Sequence, residues 1–239
     1  MSLQSEFAPS GVMRVGINLG NPVIAQRDPQ GGEPRGVASD LARELGKRLG
    51  LGLRFVTFET AGKMADAVKE DAWDVAFLAI DPERANDIDF SAAYAHIEGT
   101  YLVRTDSPLR AVNELDQEGI RIAVGLKTAY DLWLTRNVHR AQLVRSASSE
   151  TAIAQFLEER LDAAAGVRQP LLTAARRNKD LRVLEGSFMV IRQAAGVPRG
   201  RAAAARFVCA FIEDAKHSGL VGRLLDKSGA TGASVAPPA

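Results

Sequence analysis

Asp74-Val75-Ala76-Phe77-Leu78-Ala79-Ile80-Asp81-Pro82-Glu83-Arg84, followed shortly by Ile88-Asp89-Phe90-Ser91, reads as a buried strand, a tight turn at Asp81-Pro82, and an arginine just past the strand's carboxyl end. In open α/β sheets, ligands bind outside the carboxyl ends of the strands. A guanidinium there is a permanently charged fork suited to a carboxylate. The same residues also accommodate Arg84 as a surface partner of Asp81 or Asp87. On this stretch alone both readings stand.

Outward from it, short apolar runs alternate with amphipathic ones, the pattern of a parallel α/β protein. Strands are expected at 13–17, 53–58, 73–79, 98–104, 120–124, 142–145, 161–166, 181–184 and 188–191. Helices are expected at 39–49, 63–70, 129–136, 149–160, 170–178, 199–217 and 220–226. In the first helix Leu41, Leu45 and Leu49 form an i, i+4, i+8 stripe, with Ser39 as N-cap and Gly50 as the stop. There are two βα series, with breaks near Thr105 and Ile191. They imply a discontinuous first lobe, 12–104 plus 193–228, and a second lobe, 105–192. Two hinge crossovers would join them, and the cleft they frame is the expected small-molecule site. Residues 1–11 and 229–239 have the composition of flexible ends.

Composition narrows the function. The chain has 239 residues, 46% hydrophobic and 25% charged, as expected of a globular protein able to bury a sizeable core. A formal net charge of +1 gives no general electrostatic reason to bind nucleic acid or an anionic membrane. No segment approaches the ~18 apolar residues of a membrane span. One cysteine excludes an intramolecular disulfide, and Cys209 lies on an apolar helical face, as a small buried hydrophobe would. His96, His139 and His217 lack ligand spacing, so neither a metal nor another cofactor is expected. The first residues, Met1 to Pro9, lack the basic and apolar regions of a secretory leader. A periplasmic location is expected if a leader has been removed, and a cytoplasmic one if the native chain starts here.

Several fragments in order resemble the family 3 bacterial extracellular solute-binding proteins. They are Arg14-Val15-Gly16, Gly36-Val37-Ala38-Ser39-Asp40-Leu41-Ala42, Trp73-Asp74-Val75, and Pro82-Glu83-Arg84 with Asp89-Phe90-Ser91. Later come Leu102-Val103-Arg104 with Ser107-Pro108, Ile122-Ala123-Val124, Arg160-Leu161-Asp162-Ala163 and Ser218-Gly219-Leu220. The resemblance covers about residues 12–228. It implies a two-lobed α/β fold like the type II periplasmic binding proteins, each lobe a mostly parallel sheet flanked by helices. It also implies a monomeric receptor that closes on a small solute and presents it to an ABC permease.

The resemblance transfers site residues in part. Arg84 matches the arginine that grips the ligand's α-carboxylate, although the loop before it is about two residues shorter and lacks a hydroxyl. Thr128 matches a threonine of the carboxylate-binding turn, where Ala129 departs; as a bare sequence feature Thr128 is equally a helix N-cap. The family then places an acidic residue for the ligand's α-ammonium, but this chain has Val167-Arg168-Gln169. Arg168 near that place would repel an ammonium, so the expected ligand is a small anionic solute, amino acid-like or an organic acid, rather than an ordinary α-amino acid. Alternatively Arg168 points outward and Gln169 alone faces the ligand. Asn18 after the first strand and Thr100 on the strand leaving lobe one complete the candidate ligand-binding set.

No catalytic motif is present, and no catalytic residue is expected. Two alternatives stay open. One is a cytoplasmic or tethered solute-sensing module. The other is an enzyme resembling cyclohexadienyl dehydratase, for which Glu98, Asp81 and Asp131 are the candidate acids or bases.

Overall fold

The computed structural model describes residues 3–239. From the N-terminus the chain forms α1 (Leu3–Phe7), β1 (Met13–Asn18), α2 (Val37–Leu49), β2 (Leu53–Phe58), α3 (Ala61–Asp66), β3 (Val75–Ala79) and β4 (Ile88–Arg104). Next come β5 (Arg121–Gly125), α4 (Ala129–Asn137), β6 (Gln142–Ser146), α5 (Ser149–Glu158), β7 (Ala163–Val167) and α6 (Arg168–Arg177). The last elements are β8 (Leu181–Val183), β9 (Met189–Pro198), α7 (Ala202–His217), α8 (Leu220–Lys227) and β10 (Ala233–Val235). The chain divides into two compact units, one running to His96 and again from Arg192 to Ala239, the other Ile97–Ile191.

In the first unit β3 is buried along its whole length, because apolar residues on both faces of a central parallel strand need cover on both sides. β1 pairs parallel with β2 and β3, and β9 runs antiparallel to β3 with Phe77 opposite Ala195. Met64, Trp73, Ala76, Leu78 and Ile88 form one core cluster, and the buried Trp73 indole donates to Met64 O at 2.9 Å. Asp74, at the amino end of β3, is fully buried between Arg14 and Arg201, at 2.8 and 2.9 Å. Burial alone would push its carboxyl up; the hydrogen bonds from Arg14 and Arg201 override that and hold it below the ordinary range.

Three expectations shift here. The first long helix starts at Val37 rather than Ser39, with Gly36 as N-cap at φ +111°. A Cβ on Gly36 would lie 2.6 Å from Ile24 O, so the turn admits only glycine. The helix expected at 63–70 divides into α3 and a 3₁₀ turn, Ala67–Glu70. Cys209 is half-buried rather than fully buried, with Sγ 3.8 Å from Phe90 O.

Segments near both ends, where flexible termini are expected, make contacts with the first unit. Phe7 of α1 is fully buried and meets Phe207 edge-on at 5.8 Å, while Glu6 accepts the Ala204 N–H at 2.9 Å. Glu6 thereby caps α7, whose own N-cap, Arg201, makes no side-chain cap bond. At the other end β10 pairs with β4, Ala236 N donates to Tyr94 O at 3.1 Å, and the buried Lys216 donates to Pro237 O at 2.8 Å.

In the second unit β5 pairs parallel with β6 and β7, and β4 lies antiparallel to β7 and to β8. Leu102, Ala123, Ala152, Phe156, Leu161, Ala164 and Leu171 form its core. Arg104 lies over the Phe156 ring at 4.7 Å and donates to Leu161 O at 2.7 Å, closing the end of that core. The two strands expected as short pieces, 98–104 and 188–191, are parts of the longer β4 and β9, which run from one unit into the other.

Candidate functional site

In the first unit the carboxyl ends of β1 and β3 carry the candidate residues. Asn18 closes β1 and accepts the Gly20 N–H through Oδ1 at 2.9 Å, which shapes the turn after the strand. Asp81 accepts the Glu83 N–H at 2.9 Å, and Ala85 N reaches Asp81 O, so Asp81 caps the single turn that carries Arg84. Arg84 is 5% exposed, so it is buried rather than on the surface, and Nη1 donates to Ala79 O at 2.9 Å. Burial pulls its pKa down to about 10, with Asp81, Glu83 and Asp66 pulling the other way. Gln193 of β9, buried opposite Ala79, joins this edge. Periodicity missed it because β9 was expected to end at 191.

In the second unit β5 and β7 are parallel neighbours, so their following loops leave the sheet at one edge. Lys127 takes φ +55°, and Thr128 caps α4. Its hydroxyl donates to Gly125 O at 2.9 Å and accepts from Asp131 N at 3.1 Å. The helix-cap reading of Thr128 is therefore the geometry observed, and its hydroxyl proton is engaged within the turn. Asp131 accepts the Lys127 N–H at 2.8 Å and Arg145 Nε at 3.0 Å, which fixes the turn from beneath. Thr-x-x-Asp at 128–131 resembles a capping box, the local signal that would have assigned Asp131 this role.

Arg168 is the first residue of α6. Its Nε donates to Glu98 Oε2, and its remaining nitrogens reach Leu184 O at 3.3 Å and Gly186 O. Thr100 Oγ1 donates to the same two carbonyls, at 3.3 and 3.0 Å. Arg168 and Thr100 thus pin the 184–186 segment to β4 from the two sides of one strand edge. Beside them, Phe188 stacks between Tyr101 and Trp133, at 4.6 and 5.5 Å. A Cβ on Gly99 would come within 3.2 Å of the Phe188 ring, so glycine permits that approach. Gln169, second in α6, accepts Thr173 Oγ1 through its backbone carbonyl at 3.0 Å.

The candidates are therefore brought to two edges: Asn18 and Arg84 in one unit, and Thr100, Thr128, Arg168 and Gln169 in the other. The three carboxylates considered as acids or bases, Asp81, Glu98 and Asp131, each accept hydrogen bonds from the protein. Among the described residues no group of three or more His, Cys, Asp or Glu is placed to hold a metal ion. No helix among them is long and apolar enough to cross a membrane.

Residues 13–230 match the family model described as bacterial extracellular solute-binding proteins, family 3. No match is found among curated protein sequences. Among solved structures, a mutant of ArgBP from T. maritima is similar with a TM-score of 0.79 and 23% identity, covering 95% of this chain and 99% of that one. The solute receptor for L-cysteine of Neisseria gonorrhoeae is similar at TM-score 0.81 and 21% identity, covering 95% and 93%. The ancestral amino acid-binding protein AncCDT-1, a precursor of cyclohexadienyl dehydratase, is similar at 0.77 and 23%, covering 95% and 99%.

Proposed function

Since the chain belongs to the bacterial extracellular solute-binding proteins, family 3, we propose that it is the solute receptor of an ABC-type importer, and that its solute is a small molecule bearing a carboxylate. The observation that carries this reading is Arg84. A guanidinium buried to 5% exposure past the carboxyl end of β3 is destabilised by the loss of water. A carboxylate arriving there meets a permanently charged fork in a place poorly screened by water, where a charge-assisted pair is strong. The Thr128 turn supplies the second candidate grip, because the first N–H groups of α4 and the helix dipole favour an anion. Asn18 and Gln169 are the candidate polar neighbours of these two grips, and Thr100 acts through the segment it holds. A binding role rather than catalysis agrees with three carboxylates already committed to turns and an ion pair.

Thermal denaturation against a panel of small carboxylates tests this. A ligand at 100 times its dissociation constant stabilises by about 2.7 kcal/mol, a rise of roughly 5–10 °C for a chain of this length. The reading expects such a rise for at least one carboxylate and its loss in Arg84→Met. No rise for any compound, or an equal rise in the variant, overturns it.

A further inference from the structure

We infer that Gln193 is the specificity-determining residue of the first unit, and that its side-chain amide reads an uncharged hydrogen-bonding group of the solute, a hydroxyl or a carboxamide. This deepens the proposed receptor reading and rests on it, because the carboxylate held by Arg84 sets where the rest of the solute lies.

Strand register puts the amide beside Arg84. Ile80 N donates to Arg192 O at 2.9 Å, so Ile80 and Arg192 are a hydrogen-bonded pair of β3 and β9. Ala79 and Gln193, next along, are then the narrow pair, whose opposed side chains share a face and lie closest. In such a pair the Ala79 carbonyl turns away from β9 toward β1, and Arg84 Nη1 meets it there at 2.9 Å. The guanidinium and the amide thus flank the last residue of β3 from its two sides. Two strand spacings, about 10 Å, separate those flanks, a gap that one small solute and its hydrogen bonds can bridge.

Gln193 is 5% exposed, and no hydrogen bond is made by its side-chain amide among the described residues. Its face of the sheet is apolar there, lined by the buried Phe77, Ala79 and Ala195. An amide so placed is costly unless something from solution completes it. The Tyr94 hydroxyl supplies the contrast. Tyr94 meets Phe77 edge-on at 6.1 Å across β9, which puts it on the same face, and its hydroxyl is likewise unpaired. That hydroxyl is sealed from solvent, whereas the Gln193 amide is unpaired without being sealed. Gln193 is therefore the group an arriving solute reaches, and the small Ala79 beside it leaves the approach open.

A hydroxyl or carboxamide pairs with the amide while adding no charge. A hydrocarbon displaces water and leaves the amide dry and unpaired, and a second carboxylate loses its hydration among apolar side chains.

Isothermal titration with matched carboxylates tests the assignment. The four-carbon set is butanoate, 4-hydroxybutanoate, succinamate and succinate; the five-carbon set is one methylene longer, and each is used with and without a 2-amino group. The expected result is that a hydroxyl or carboxamide member binds at least about tenfold tighter than its methyl and dicarboxylate counterparts. Gln193→Leu should reduce that preference to within about threefold. Its melting temperature without ligand should be equal or higher, since an unpaired buried amide is removed. Tyr94→Phe should leave the preference unchanged.

A preference that survives Gln193→Leu or is lost in Tyr94→Phe overturns the assignment and leaves the receptor reading intact. So does tightest binding of a methyl or dicarboxylate member, or a lower melting temperature in Gln193→Leu, which would mark a structural glutamine. Binding of no member of either set brings down both.

Discussion

Asp131 turns back from the first turn of α4 to accept the Lys127 N–H at 2.8 Å, while Arg145 Nε reaches its other oxygen at 3.0 Å. One buried carboxylate therefore holds a residue with positive φ, caps a helix turn and fixes β6 beneath it. Asp131→Asn keeps the shape but removes the charge that both donors need. The expected loss is about 2–3 kcal/mol, the range for hydrogen bonds to a charged group, read as a lower urea midpoint at unchanged slope. If the Thr128 turn grips the ligand, solute affinity falls as well.

Asp74 sets a pH dependence. Its carboxyl is held below the ordinary range by Arg14 and Arg201, so the folded state favours the charged form. A group with a depressed folded pKa contributes fully above its unfolded value, about 3.9, and loses that contribution as pH falls through the folded value. Stability should therefore drop below about pH 4. In Asp74→Asn this segment of the pH profile flattens, and about 3–5 kcal/mol is lost at neutral pH, because two cations are left facing a neutral amide. Denaturant midpoints from pH 2 to 7 for both proteins check the sign.

Phe7→Ala should destabilise the first unit by about 3 kcal/mol, the low end for a buried phenylalanine, since the site lies at the periphery and relaxes readily. A change under 0.5 kcal/mol by chemical denaturation would show that α1 does not pack as described.

Arg84→Lys separates charge from geometry. Lysine keeps the cation but loses the planar fork and is more strongly hydrated. Carboxylate affinity should fall about 10- to 100-fold, by 1.4–2.8 kcal/mol. Thermal stability without ligand should also fall somewhat, because the more strongly hydrated ammonium costs more to bury and the guanidinium bond to Ala79 O is lost. Equal affinity in the two proteins would place the carboxylate elsewhere.

The ordered fragments are enough to point to the family, and local patterning is enough to place most elements. β2 and β6 stand within a residue of expectation, and Gly50 ends α2 in the left-handed conformation. These features are legible because side-chain periodicity and glycine's tolerance of positive φ act over a few residues. The elements that cross between the units were less visible. Residues 192–198 carry mostly small side chains and lie beyond the apolar run that marks residues 188–191, so β9 emerges only when Phe77 finds Ala195 across the sheet.

Sequence alone determined that this is an α/β chain with an arginine past the end of its central strand, since strand, turn and charge are set within eleven consecutive residues. Tertiary structure alone decided what each charge does. Arg168 finds Glu98 seventy residues away and two carbonyls beyond Leu181, Asp74 gathers Arg14 and Arg201, and Lys216 captures the carbonyl of Pro237. Long charged side chains have little local preference for a partner. The partner is whichever group the sheet order brings within reach, and in the second unit antiparallel pairing of β4 with β7 turned an expected anion grip into a strut for an acid.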